Sequence, residues 1–587
     1  MRQRLIPLAL TASLLLACGA MFAVQTQEDA KFQKTLDSFL DEYWKFYPTA
    51  ATMAGYHKYD GEIEDWSEGN LEKRLNSLDA FNAQFVSKIT AASLSPDVQV
   101  DREIILDALE YDKFRHENLV PWEYNPLVYN EVLVNTVRSL LAGSFASADA
   151  RAKNAYDRLK QLPGFMKQAK ENLKTPAAIF TETAIAQFPG ILKFYKEELP
   201  QLIGGASGDT RNKINAEWPK AVAALEDYQR YLSSSLLPKS TGNPMLGDQA
   251  HMRLLRLTIQ GSLLMDELVA RAKADYNNIR REMVIIGAPF YKIMYPEVNL
   301  EQMNRPQEEL RNIVIKGVLD KIQVEHPGRD EFPSKAKSTA ESIKSFLEKK
   351  GLVGVPGEIP DIIPMPVEHQ SGTLTNLITP GAYDSNGKYT VETRPVPASL
   401  SADKAESFMM EFNDFYFPFW TAARIYPGKF LPAYLSRKNT SLVRRLFPNQ
   451  PLLMGWSMGL GEQLEFAGYG SYDLRMRLHQ LKQQLKTVID FQMELNIHQA
   501  ALSKEQAIAY WTRGGFVTDA EAERIYNQIL LKPGAAAFTY IGMQEINDLE
   551  KTYKETHKGQ AFNRKEFYEK ILANGAIPLR LLKDRLQ

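Results

Sequence analysis

Apolar residues recur at helical spacing through most of this chain, and that periodicity restricts the fold before any single residue does. Leu71, Leu75, Leu78, Phe81, Phe85 and Ile89 step by four, three, three, four and four, which puts them on one face of a 3.6-residue helix. Phe165, Ala169 and Leu173 repeat the four-residue step ahead of Thr175-Pro176, a cap and first-turn pair for a following helix. Ser503-Lys-Glu-Gln506 and Thr518-Asp-Ala-Glu521 have the form of capping boxes, in which side chain and backbone satisfy each other's free donors at a helix start. A first helix is expected from near Ala30, and no short-period repeat of the solenoid kind accompanies these helices. The pattern predicts a mainly α fold.

One stretch departs from it. Seven prolines fall between Pro356 and Pro397, and Asn386-Gly387 lies between Ala382-Tyr383 and Tyr389-Thr-Val391. Asn-Gly tolerates the positive φ angles of a tight turn, so a small β-hairpin or edge strand is expected near residues 375–395. Two readings of it stay open: a proline-rich connector between lobes, and a strand lining a ligand site.

A mature chain of about 565 residues exceeds what one apolar core usually serves. Two lobes around a central cleft are therefore expected, an N-terminal helical lobe over 27–350 and a C-terminal lobe over 351–587. The 70 basic and 71 acidic residues balance, which removes the electrostatic footprint of a nucleic-acid binder. Residues 1–23 read as an export signal: Arg2 and Arg4, an apolar run from Leu5 to Leu16, then Ala17, Gly19 and Ala20. Leu15-Leu16-Ala17-Cys18 resembles a bacterial lipobox, which makes Cys18 a lipidation site, with cleavage near Ala20 or Ala23 as the alternative. Either outcome places the protein outside the cytosol, lipid-anchored and facing the periplasm or soluble there. A lipid anchor would be the sole membrane contact, since no other apolar run is long enough to span a bilayer. The single cysteine leaves the mature body without disulfides.

The segment from Trp420 reads WTAARIYPGKFLPAYL and is followed by MGWSMGLGEQLEF from Met454. Further on come Glu494-Leu-Asn-Ile-His498, Ala537-Phe-Thr-Tyr540-Ile-Gly542 and the closing Phe567–Leu582 stretch, with Trp122–Leu127 as a weaker upstream match. In order and spacing these segments resemble the bacterial DUF885 family. Its members are mostly helical, often secreted or lipid-anchored, and similar to gluzincin-type metallopeptidases. Their pattern is His-Glu-x-x-Pro-Gly-His followed by Glu-Gly-Trp. Pro427-Gly428 and Gly455-Trp456 match it, and Glu462-Gln463-Leu464 continue the second block after a one-residue insertion.

The resemblance implies a zinc site at positions where this chain carries Ala423, Arg424, Lys429 and Met454. Alanine and methionine are not zinc ligands of such a site, and arginine cannot act as a general base. The chain is thus expected to be a divergent member without zinc catalysis, with no metal and no cofactor. Arg424 and Lys429 would suit a carboxylate or phosphate, or else point to solvent after neutral decay. Glu494, His498, Tyr540 and Trp456 lie in family-like segments and are candidates for binding, or for a polar network between C-terminal helices. None of the eight histidines makes a helical His-x-x-x-His pair, and there is no Gly-x-Ser-x-Gly elbow. The expected function is an inactive metallopeptidase-like lipoprotein that binds a peptide, an envelope component or a partner protein in the inherited cleft. The alternative is a hydrolase using other residues, with Glu462, His498 and Tyr540 as weak candidates and Glu465 beside them.

Overall fold

The computed structural model describes residues 26–261, 264–397, 400–500 and 502–586; Cys18 and the segment read as an export signal lie outside them. The fold is mainly α, with one three-stranded sheet. Among the described residues no helix is long and apolar enough to cross a membrane.

The periodic stripe forms the Glu68–Ser87 helix, where Leu78, Phe81 and Phe85 are buried. The first helix, Gln27–Phe46, starts earlier than expected because Thr26 and Asp29 form a reciprocal capping box. Ser503 and Gln506 form the expected box. Thr518 does not: its side chain makes no cap bond, and the carboxylate of Glu521 is held by Arg524 at 2.6 and 2.7 Å. Thr175-Pro176 also falls short of a helix start. The helix begins at Ala178, since Ala177 is bridged to Thr241 and the Gly242 N–H donates to the Pro176 carbonyl.

Apolar clusters do not follow chain order. The largest joins helices Gln27–Phe46, Glu68–Ser87 and Pro96–Phe114 to Phe332–Lys350 and to helices between 402 and 586. A second is confined to residues 46–236, and a third packs helices Met265–Met294 and Gln307–Ile322 against Leu474–Ala500 and Asp519–Leu531. Residues on both sides of position 350 thus share one core.

The sheet has the order β1-β3-β2, with β1 Asp361–Pro364 parallel to β3 Thr390–Thr393 and β2 Thr375–Ile378 antiparallel to it. The expected β element is present, but Asn386-Gly387 is not a two-residue hairpin turn. It sits inside an eleven-residue connection, 379–389, and Gly387 is not at positive φ. Tyr383 explains the length. It is drawn off to the Gln27–Phe46 and Pro48–Ala54 helices, where its N–H donates to the Ala54 carbonyl and its hydroxyl accepts from Trp44.

Helices Gln450–Phe466 and Ala535–Thr556 cross at Gly455 and Gly542. A β-carbon on Gly542 would lie 1.9 Å from the Pro451 carbonyl oxygen, and one on Gly455 would lie 2.2 Å from the Gly542 carbonyl carbon. The backbones touch, and only glycine allows it.

Candidate functional site

The Phe417–Arg424 helix is stopped by the turn that contains Pro427-Gly428. Proline removes a donor and glycine removes a side chain, and the second property is used here. The Gly428 N–H donates back to the Ala422 carbonyl at 2.8 Å, and a β-carbon there would meet the Ala423 carbonyl oxygen at 2.3 Å. The tight fold-back presents Arg424 and Lys429 to one cavity.

That cavity measures about 340 Å³. Its walls come from β2, the Phe417–Arg424 and Gln450–Phe466 helices, Leu474–Ala500, Asp519–Leu531 and the start of Ala535–Thr556. Arg424, Lys429 and Met454 all line it, whereas Ala423 is fully buried behind the wall. Five cationic side chains, Arg424, Lys429, Lys486, Arg524 and Lys532, face two carboxylates, Asp490 and Glu521.

The carboxylates are already engaged. Asp490 takes Lys486 at 3.1 Å and the Trp511 indole N–H at 2.9 Å; Glu521 takes Arg524 in bidentate fashion. Among the described residues no carboxylate lies within ion-pair distance of Arg424, Lys429 or Lys532. Among the described residues the one hydrogen-bond acceptor that the Arg424 side chain meets is the Met454 sulfur, at 3.9 Å, a weak one. Lys429 donates to the Thr375 hydroxyl at 3.0 Å and reaches the Thr375 carbonyl at 3.4 Å. Burial, together with the cations Arg424 and Lys532, pushes the Lys429 amine down to about 7. Burial also lowers Arg424 and Lys532 from their ordinary values.

β2 adds a second kind of group. The Arg394 N–H donates to the Leu374 carbonyl at 2.8 Å, and Thr375 is paired in register with Thr393. Hydrogen-bonded and non-hydrogen-bonded pairs alternate in an antiparallel ladder, so Asn376 and Ile378 turn their backbone groups toward β3. Thr375 and Leu377 turn theirs outward, along the free edge that lines the cavity.

The remaining candidates lie elsewhere. Trp456 is buried against Tyr568, with ring centroids 5.9 Å apart, in the core rather than on the cavity wall. The Tyr540 hydroxyl donates to Asp275 at 2.8 Å and its ring stacks on Phe491. Glu462 is half-buried, and Glu465 is bound to Arg477 at 2.9 Å. Glu462, His498 and Tyr540 are all absent from the cavity wall.

His498 and Glu494 instead meet His251, a residue that sequence spacing did not single out because it lies 243 positions from Glu494. The donor atoms of the three lie within 4.8 Å of one another, the one such metal-sized group among the described residues. Their hydrogen bonds account for the nitrogens. The Leu246 N–H donates to His498 Nδ1 at 3.3 Å, so Nε2 carries the proton and points at the Ile529 carbonyl at 3.2 Å. Glu494 accepts from the Gly534 N–H at 2.6 Å and lies 3.0 Å from His251 Nε2. Burial lowers the His498 pKa, in keeping with a neutral ring. With that proton in place His498 Nε2 has no lone pair for a metal, and the cluster ties residue 246 and the Asp248–Ile259 helix to the C-terminal helices.

Sequence reasoning reached the Arg424, Lys429 and Met454 wall but missed Lys486, Asp490, Glu521, Arg524 and Lys532. The spacing of Lys486 and Asp490 (i, i+4) and of Glu521 and Arg524 (i, i+3) was the available signal.

These features define a mainly α protein with a cation-lined cavity bounded by an edge strand. The chain belongs to the family described as bacterial protein of unknown function (DUF885), whose profile matches residues 48–586. A "putative lipoprotein of unknown function" from Shewanella oneidensis is similar in structure, with a TM-score of 0.76 at 24% identity over 94% of this chain and 99% of that one. A "putative lipoprotein" from Colwellia psychrerythraea gives 0.74 at 14% identity over 95% and 98%. At these identities the likeness bears on the fold. No curated protein matches.

Proposed function

We propose that this is an exported, lipid-anchored binding protein of metallopeptidase-like ancestry, which holds a peptide or an envelope-derived ligand in the cavity without zinc chemistry. The observation that carries the reading is the wall itself: Arg424 and Lys429 face the cavity where the family pattern has a base and a ligand, and among the described residues no carboxylate lies within ion-pair distance of them. Such a wall repels a divalent cation and attracts an anionic group. The outward backbone of Thr375 and Leu377 supports an extended ligand that adds a strand to β2.

Protein equilibrated with excess zinc and then dialysed is expected to retain far less than one zinc per chain by elemental analysis. About one zinc per chain, lost on substituting wall residues, would sink the reading, as would turnover in a broad peptidase screen.

The anchor is tested separately. Cys18→Ser is expected to release the protein from membranes or to block its processing while leaving its thermal unfolding unchanged. An unmodified N-terminus after Ala20 or Ala23, in a host that lipidates proteins, would show a plain exported protein instead.

A further inference from the structure

Three features of the cavity converge on one class of ligand. The first is an excess of positive charge: Arg424, Lys429 and Lys532 have no carboxylate partner among the described residues, while Asp490 and Glu521 are bound to Lys486 and Arg524. The second is position. Lys429 is hydrogen-bonded to Thr375, the first residue of β2, so the cation cluster sits at one end of the free strand edge rather than along it. The third is lining: Trp420, Met454 and Met458 form an apolar wall beside the cations. A group that satisfies all three is anionic, terminates a strand, and carries an apolar side chain next to the charge.

We infer that the cavity is a receptor for the free C-terminal carboxylate of an extended peptide, whose last residues pair with the outward backbone of Thr375 and Leu377 while the carboxylate lies among Arg424, Lys429 and Lys532. The inference rests on the binding reading above and specifies its ligand. An internal segment of a chain offers the strand edge but no charge at its end; a free phosphate offers charge but no strand. A terminal carboxylate brings both, and a guanidinium matches its two oxygens.

The arrangement also makes binding pH-dependent. The groups that face Lys429 are Arg424 from the Phe417–Arg424 helix, the Thr375 hydroxyl from β2, Lys486 and Asp490 from Leu474–Ala500, Glu521 and Arg524 from Asp519–Leu531, and Lys532 beyond it. Burial and the two unpaired cations depress the amine, and a carboxylate arriving beside it reverses part of that effect. Lys429 therefore takes up a proton as the ligand binds, and affinity falls as pH rises above about 7.

The test uses the full mature protein, immobilised, and two N-acetylated tetrapeptide libraries randomised at every position, one with free carboxyl termini and one with terminal amides. Bound peptides are identified by mass spectrometry, and the enriched ones are measured by calorimetry in two buffers of different ionisation heat. The expected result is enrichment of free-acid peptides with an apolar last residue, with affinity about tenfold or more below in the amide forms. Affinity is expected to fall between about pH 6 and about pH 8.5, with proton uptake on binding. Arg424→Met and Lys532→Met should each weaken binding about tenfold; among the described residues neither side chain is in an ion pair, and thermal melts serve as the check on folding.

Equal binding of acids and amides would overturn the carboxylate receptor and leave a strand-binding cleft. Inorganic phosphate binding with no peptide enriched would overturn it in favour of a plain oxyanion site. Enrichment in neither library, with phosphate also silent, would overturn the inference and the peptide reading together.

Discussion

Gly542→Ala is expected to destabilise the protein by about 3 kcal/mol or more, read as a lower denaturant midpoint at unchanged slope. The new methyl group would occupy space held by the Pro451 carbonyl, 1.9 Å away, and that oxygen belongs to the backbone of the facing helix. No rotamer change relieves the clash; the helices themselves must separate. Because Met454 and Met458 project into the cavity from one of them, and Ala535, Ala536 and Thr539 from the other, separation also opens the cavity wall. Gly459 is the internal control. It lies in the same Gln450–Phe466 helix with nothing within 4 Å of an added β-carbon, so Gly459→Ala should stabilise by about 0.5–1 kcal/mol. If both substitutions had the same small effect, the crossing would not be a backbone contact.

Lys429→Met is expected to do the opposite of most buried substitutions and stabilise the fold. The Lys429 amine titrates near 7 in the folded protein against 10.5 for an ordinary lysine. Between these values the unfolded chain keeps a proton that the folded protein releases, so this group makes stability rise with pH across that window. Below it, both states are protonated and the folded state bears the full cost of the confined ammonium. Replacing Lys429 by an apolar side chain of similar length should gain on the order of 2 kcal/mol at about pH 6, allowing for its contact with cavity water. The gain should shrink toward zero above about pH 10. Thermal melts across that range check it, and a gain that does not depend on pH would show that the amine is ordinarily solvated. The same variant should lose the carboxylate, which makes Lys429 a residue that costs stability and supplies binding.

Much of the helical architecture was legible because burial imposes a period. Leu78, Phe81 and Phe85 announced a buried face, and the face is buried. Capping was legible only where the side chain was free to cap: Gln506 was, while Glu521 is committed to Arg524 one turn along the same helix. The β element was located but its turn was misjudged, because Tyr383 is held by Trp44 and Ala54, more than three hundred residues upstream. The family-like segments were visible as patterns, yet their roles were not. Gly455 and Gly542 are a helix crossing, and Trp456 is core; neither role has a local signature. Lys532 became a site residue through packing alone, since nothing in a single helix records what another helix brings to it.

The three unpaired cations have a consequence for how such a site is governed. An ion held by ligands is present only to the extent that its concentration exceeds its dissociation constant. A guanidinium and two amines attached to the chain are present at any dilution, and no chelator removes them. Scarcity of metal leaves such a receptor untouched, and the variable that attenuates it is a rise in pH, through a single amine.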